Sequence, residues 1–171
     1  MLLLAADFLY AGPGGKSALS LPENGLSLQE TYAHVGSCWT RPDWPEAEIL
    51  NLPKKVCINK IGVVVSLSEG LPLGDDAALI IEGNPISGRL RINGAQRREN
   101  GWSLMGLFPR ARSHARACGT HSEASVAVYV DIDEQGRLRD ASPRIHGLLI
   151  DGSAVCPKPG DTVEILYSRS S

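Results

Sequence analysis

At 171 residues the chain suits one domain with its own core, a size at which roughly two-thirds of the unfolded surface becomes buried. Hydrophobic residues make up 43% and charged residues 21%, which excludes a wholly disordered chain. A net charge of -2 argues against a nucleic-acid binder that works by bulk electrostatics, because neutralising phosphates needs a clear basic excess.

The first ten residues, MLLLAADFLY, form a short apolar run interrupted by Asp7, and Ala11-Gly12 would suit a small-residue cleavage site. The basic start of a secretory signal is missing, so residues 1–24 read as an N-terminal arm, with a leader remnant as the alternative. No stretch approaches the roughly 20 apolar residues of a membrane-spanning helix. Gly12-Pro13-Gly14-Gly15 is a flexible joint. Leu26, Leu28, Thr31 and Tyr32 start a strand, and Cys38 to Pro45 reads as a loop holding two prolines and two of the three tryptophans. Pro45 to Leu52 suits one or two helical turns, opened by Pro45 and ended by Pro53.

From Lys55 the character is β. Val56, Ile58, Ile61, Val63, Val64, Val65 and Leu67 are rich in branched side chains. Ala77 to Glu82 is a second such run, and Arg89-Leu90-Arg91-Ile92 alternates charged and apolar residues before Asn93-Gly94, a tight-turn signal. Gly101 to Phe108 follows as another strand. Val126, Val128, Val130 and Ile132 then recur at period two, Glu134-Gln135-Gly136 supplies a turn, and Ile145 to Ile150 returns as a hairpin partner. Thr162 to Tyr167 is the last strand. Short strands and 18 Gly plus 11 Pro predict an all-β, mainly antiparallel fold, a disulfide-containing β-sandwich or small barrel with minor helical turns. It would occupy residues 25–171 as a single β-sandwich-like domain.

Cys38, Cys57, Cys118 and Cys156 contain no CxxC pair, which favours structural disulfides and an oxidising compartment, periplasmic or secreted. Folding the chain at the hairpin brings the surroundings of Cys118 and Cys156 together, so the preferred pairing is Cys118 with Cys156 and Cys38 with Cys57. The other two connectivities stay open. A zinc site from His34, Cys38, Cys118 and His121 has suitable ligand types but would strand the other two cysteines. Asp131 to Gly136 begins like a calcium loop, yet its twelfth position is Ser142 and its flanks are strands. No metal or cofactor is expected.

Two constellations suit binding. Between Glu99 and Glu123 no acid occurs, while Arg110, Arg112, His114 and Arg116 do, so a long basic loop there suits an anionic ligand. Trp39, Arg41 and Trp44 are the residue types of binding hot spots, although the same side chains would also serve to cap the core. For catalysis, Gly152-Ser153 lacks the nucleophile elbow, and Tyr10 stands where a phosphate-binding loop needs its first glycine. The sequence thus leads to a non-enzymatic module that binds a protein or acidic glycan, of adhesion, inhibitor or immunity type. One rival is a small hydrolase pairing His34, His114, His121 or His146 with a carboxylate; another is a subunit of a surface assembly whose residues 1–20 complete a neighbour's sheet.

Overall fold

The structure, a computed structural model, describes residues 27–45, 51–67, 76–113, 122–140, 142–151 and 162–170. They form one nine-stranded antiparallel sheet. Its strands are β1 (Ser27–Thr40), β2 (Lys55–Leu67), β3 (Ala78–Asn84), β4 (Gly88–Arg98), β5 (Gly101–Ser113), β6 (Ser122–Asp133), β7 (Arg144–Asp151), β8 (Thr162–Leu166) and β9 (Ser168–Ser170). From β1 to β8 each strand pairs with the next in the chain, so the topology is a meander. β8 lies on β7, Tyr167 turns the backbone, and β9 pairs with Cys38, Trp39 and Thr40 of β1. The last nine residues of the fold therefore reach both edges of the sheet and bring it close to a closed barrel. Of the two expected architectures, the barrel is the one formed.

Period-two alternation dictates which face is inside. Along β6, Val126, Val128, Val130 and Ile132 are all buried in the core while Tyr129 and Asp131 lie on the outer face. On β2 the inward set is Val56 and Ile58, then Ile61, Val63 and Val65. The phase changes because Asn59 is an extra residue relative to β3, whose register shifts between Ile58 and Lys60. Leu79, Ile81, Leu90, Leu104, Ile145, Leu149 and Ile165 complete a continuous aliphatic filling among the described residues.

Side chains seal the closure. Arg169 donates to Ser142 Oγ at 2.8 Å and to Ser37 Oγ at 3.1 Å, tying β9 to the β6–β7 connection and to β1. The buried Tyr167 donates its hydroxyl to the Pro53 carbonyl. Cys38 and Cys57 are register partners on β1 and β2 and form a disulfide across 19 residues, the pairing expected. On the chain-entropy account a loop of that length adds about 3 kcal/mol. Cys118 and Cys156 lie outside the described residues, as does the arm, residues 1–24.

Three expectations are corrected. Asn93-Gly94 is not a turn: it lies within β4, where the register with β5 shifts between Ile92 and Gly94 and a bulge takes up the extra residue. The reversal falls instead at Glu99-Asn100, followed by Gly101 at φ 153°, where any side chain would strike the Ile132 carbonyl. Cys38 to Thr40 is strand rather than loop, because β9 and β2 pair with it on either side. The supposed basic loop is in its first part a strand, since β5 runs to Ser113 against β6. Of the expected helical segment, Pro45 is helical and residues 46–50 lie outside the described residues.

Candidate functional site

Cross-strand register assembles a polar site on the outer face of β4 to β8. Gln96, Ser103 and Asp131 stand in one row across β4, β5 and β6. Gly94, Met105, Tyr129 and Arg144 stand in the next, extended to β7. His146 and Glu164 continue the face on β7 and β8. Gly94 has no side chain, and a Cβ there would come within 3.9 Å only of Met105, so the surface dips over β4. The result is an open cleft of about 490 Å³, lined by Gln96, Arg98, Met105, Tyr129, Arg144, His146 and Glu164 among others.

Its charges are unequally satisfied. Arg144 donates to Asp131 Oδ2 at 3.1 Å and to Ser103 Oγ at 2.8 Å, and its guanidinium sits 5.6 Å from the Tyr129 ring centre. Held on three sides, it is a fixed wall. Arg98, by contrast, has no hydrogen-bond or ion-pair partner among the described residues. On the opposite bank His146 Nδ1 donates to Glu164 Oε2, and the Tyr129 hydroxyl donates to the same oxygen at 3.3 Å. The Tyr129 and His146 rings pack at 4.8 Å between centres, tilted by 53°. Partial burial and then the Glu164 carboxylate push the Tyr129 phenol above its ordinary pKa, only partly offset by Arg144, so the hydroxyl keeps its proton.

A carboxylate on Nδ1 selects the tautomer in which Nε2 carries the lone pair. His146 Nε2 has no hydrogen-bond partner among the described residues, so the cleft presents one basic nitrogen, one protonated phenol and one uncommitted guanidinium. Among the described residues no three His, Cys, Asp or Glu side chains converge to hold a metal. Cys38 Sγ is bonded to Cys57 and offers no thiolate to zinc. Asp133 Oδ1 accepts from the backbone N–H groups of Gln135 and Arg137 and Oδ2 from Arg137 Nε, forming a self-contained acidic turn.

The residues singled out from the sequence for binding fall elsewhere, while His146, a candidate for catalysis, lines the cleft. Trp39 is 3% exposed in the core. Arg41, 7% exposed, donates to the carbonyls of Leu52 and Pro42 and so organises the loop it starts. Trp44 packs partly buried against the same core. Arg110 and Arg112 lie on β5, Arg112 in register with Glu123, and their side chains, with all of His114 and Arg116, lie outside the described residues. The hairpin acids are taken by arginines outside that basic run: Asp131 holds Arg144, Asp133 holds Arg137, and Glu134 holds Arg97. Of the candidate histidines, His34 is exposed on β1, His114 and His121 lie outside the described residues, and His146 has its carboxylate.

The outward phase of β6 follows from its alternation, but what the neighbouring strands add to that face does not. Tyr129 and Asp131 on β6, and Arg144 and His146 on β7, occupy one face, but the second strand's register and the contribution of β8 cannot be read from local alternation. Compared with protein-family models, curated proteins and solved structures, the chain matches none. No helix among the described residues is long and apolar enough to cross a membrane.

Proposed function

We propose that the protein is an extracytoplasmic binding module whose outer cleft holds an acidic glycan. The observation that carries this reading is Arg98, an uncommitted cation on one bank of an open cleft whose other bank offers the Tyr129 ring and the His146 and Glu164 polar groups. Sugars bind through that combination: a ring face stacks on an aromatic, hydroxyls meet planar polar groups, and a carboxylate or sulfate meets guanidinium. The cleft volume falls in the range of small-ligand sites, roughly 300 to 1,000 Å³, whereas a protein partner of ordinary affinity covers about 800 Å² per side. Scale therefore favours the glycan over the protein partner. The Cys38–Cys57 disulfide fits an oxidising compartment.

The test is affinity electrophoresis of the whole chain through gels containing polygalacturonate, alginate, hyaluronan or chondroitin sulfate, with dextran as the neutral control. Retardation by at least one acidic polymer and not by dextran is expected. Arg98→Ala should weaken it about tenfold or more, equivalent to about 1.4 kcal/mol. Equal retardation by dextran, or an Arg98→Ala variant that binds as the wild type does, would overturn the reading.

A further inference from the structure

The cleft carries opposite charges at its two ends, and we infer that it selects glycan chains whose acidic units are interspersed with uncharged ones. An acidic unit meets Arg98, and an uncharged unit lies beside Tyr129 and Glu164. This rests on the acidic-glycan reading and names which acidic glycans the cleft takes.

Register sets the separation of the two ends. Arg98 pairs with Gly101 and Gly101 with Asp133, so the arginine stands level with Asp133, two strands away from β6 and four residues along it from Tyr129. At ~3.3 Å per residue and ~4.8 Å between strands, the Arg98 and Tyr129 Cα atoms are roughly 16 Å apart along the sheet. Glu164 starts farther away still, on β8, where it pairs with Leu148 and through it stands level with Ser125. A pyranose ring is about as broad as one ~4.8 Å strand spacing. The guanidinium and the Glu164 carboxylate therefore meet different units of one chain.

Each end has its own sign. Apart from the Tyr129 phenol, the lining residues that ionise are Arg98, Arg144, His146 and Glu164. Arg98 is exposed and has no hydrogen-bond or ion-pair partner among the described residues, and Asp133, the acid of its row, is held by Arg137. At the other end the cation is spent, because Arg144 is bound to Asp131 and Ser103. What remains there is the half-exposed Glu164 carboxylate, whose Oε2 accepts from Tyr129 and His146. A neutral phenol and a neutral imidazole share that charge without cancelling it.

Selectivity follows from the difference. A carboxylate beside Glu164 meets a like charge, which rejects a ligand as an opposite charge attracts one, whereas the hydroxyls of an uncharged unit can donate to it. A chain that is anionic on every unit gains at Arg98 and loses at Glu164. One with uncharged units between its acids can shift until the loss disappears. Bulk attraction would act in the reverse sense, with binding falling at each negative charge removed.

The experiment neutralises part of the ligand. Polygalacturonate, alginate and chondroitin sulfate are anionic on every unit, and hyaluronan on every second. Each is run in affinity electrophoresis with the full-length protein at about pH 8, where an imidazole is neutral, unmodified and with half of its anionic groups masked as methyl esters. For every polymer of the first kind that is bound in either form, masking should strengthen retardation about fivefold, the effect of one like-charge contact; for hyaluronan it should weaken it. Glu164→Gln, with its circular dichroism spectrum unchanged, should bind the unmasked polymers of the first kind more tightly by a similar factor and lose the gain from masking. The comparison of masked with unmasked polymer on the wild type stands whether or not that variant folds. If hyaluronan alone is retarded, sulfating its uncharged units should abolish retardation of the wild type and weaken that of Glu164→Gln less. Masking that weakens binding of the polymers anionic on every unit, a masking gain that persists in Glu164→Gln, or equal tolerance of sulfated hyaluronan by both proteins overturns this inference and leaves the acidic-glycan reading standing. Absence of binding to all four polymers, masked or not, removes both.

Discussion

Two regions of this barrel contain the same residue types and do opposite things. Around the disulfide, Trp39, Arg41 and Tyr167 are each at most 7% exposed, and the polar groups of Arg41 and Tyr167 meet loop carbonyls. On the face of β4 to β8, Tyr129, Arg98 and His146 keep part of their bonding capacity for something else. Arginine and aromatic rings mark neither structure nor binding by themselves. What separates the regions is whether the fold's own carbonyls and carboxylates have already filled the donors. A buried guanidinium must be satisfied internally, because an unpaired buried charge is very unfavourable; an exposed one need not be, and Arg98 has no partner among the described residues.

The sharpest way to break that comparison is to disturb the interior beneath the cleft. Leu104 is fully buried directly between Ser103 and Met105 on β5. Leu104→Ala should lower stability by about 2–5 kcal/mol in urea unfolding, the largest effect anticipated here. If the outer face is only a passenger on a packed barrel, glycan retardation by the folded fraction survives this change. A variant that unfolds at the wild-type midpoint would show that the interior is not the aliphatic filling described.

Strand existence was legible in the sequence and strand ends were not. Val126 to Ile132 announced both a strand and its inward face through strict alternation, and the Cys38–Cys57 pairing was the one left once folding at the hairpin had set Cys118 beside Cys156. The same local logic failed at Asn93-Gly94, where a bulge uses the conformational freedom that a turn would use. At Trp39 and Arg41 it left two readings open, a binding surface or a cap on the core, and their burial fits the cap. What local sequence could not show is why: the pairing of β9 with Cys38 to Thr40 arises from residues 130 positions away and draws this segment into the closure. The cleft was invisible for a related reason: His146 and Glu164 are adjacent only because β7 and β8 pair. Register between distant strands is a tertiary property.

The comparison sharpens when one arginine from each region is removed. Arg41→Ala deletes hydrogen bonds from a charged donor to the carbonyls of Leu52 and Pro42, for which about 1.5–3 kcal/mol of stability is at stake. Arg98→Ala should move stability by less than about 0.5 kcal/mol, as surface changes usually do, while it weakens retardation. Equal destabilisation by the two would mean that Arg98 is also a structural residue. Loss of retardation in Arg41→Ala, with folding intact, would return binding to the Trp39 region.

The smallest effect concerns a charge in neither region. Glu30 sits part-buried on β1 in register with Val64. Burial raises its pKa above the ordinary 4.5, against the lowering influence of a Tyr32 hydrogen bond and the Arg89 charge. A raised folded value means that the folded protein binds the proton more tightly than the unfolded chain does. The group's contribution to stability is therefore fully present below the ordinary value and is lost as pH rises through the raised one. Glu134 has the opposite sense, because Arg97 lowers its pKa and its contribution is lost as pH falls. Raw pH profiles mix the two, and the informative quantity is the difference in urea midpoint between wild type and Glu30→Gln. That difference should shift in favour of the variant between acid and neutral pH. A difference that stays constant across that interval would show that the Glu30 carboxyl titrates alike in the folded and unfolded chains.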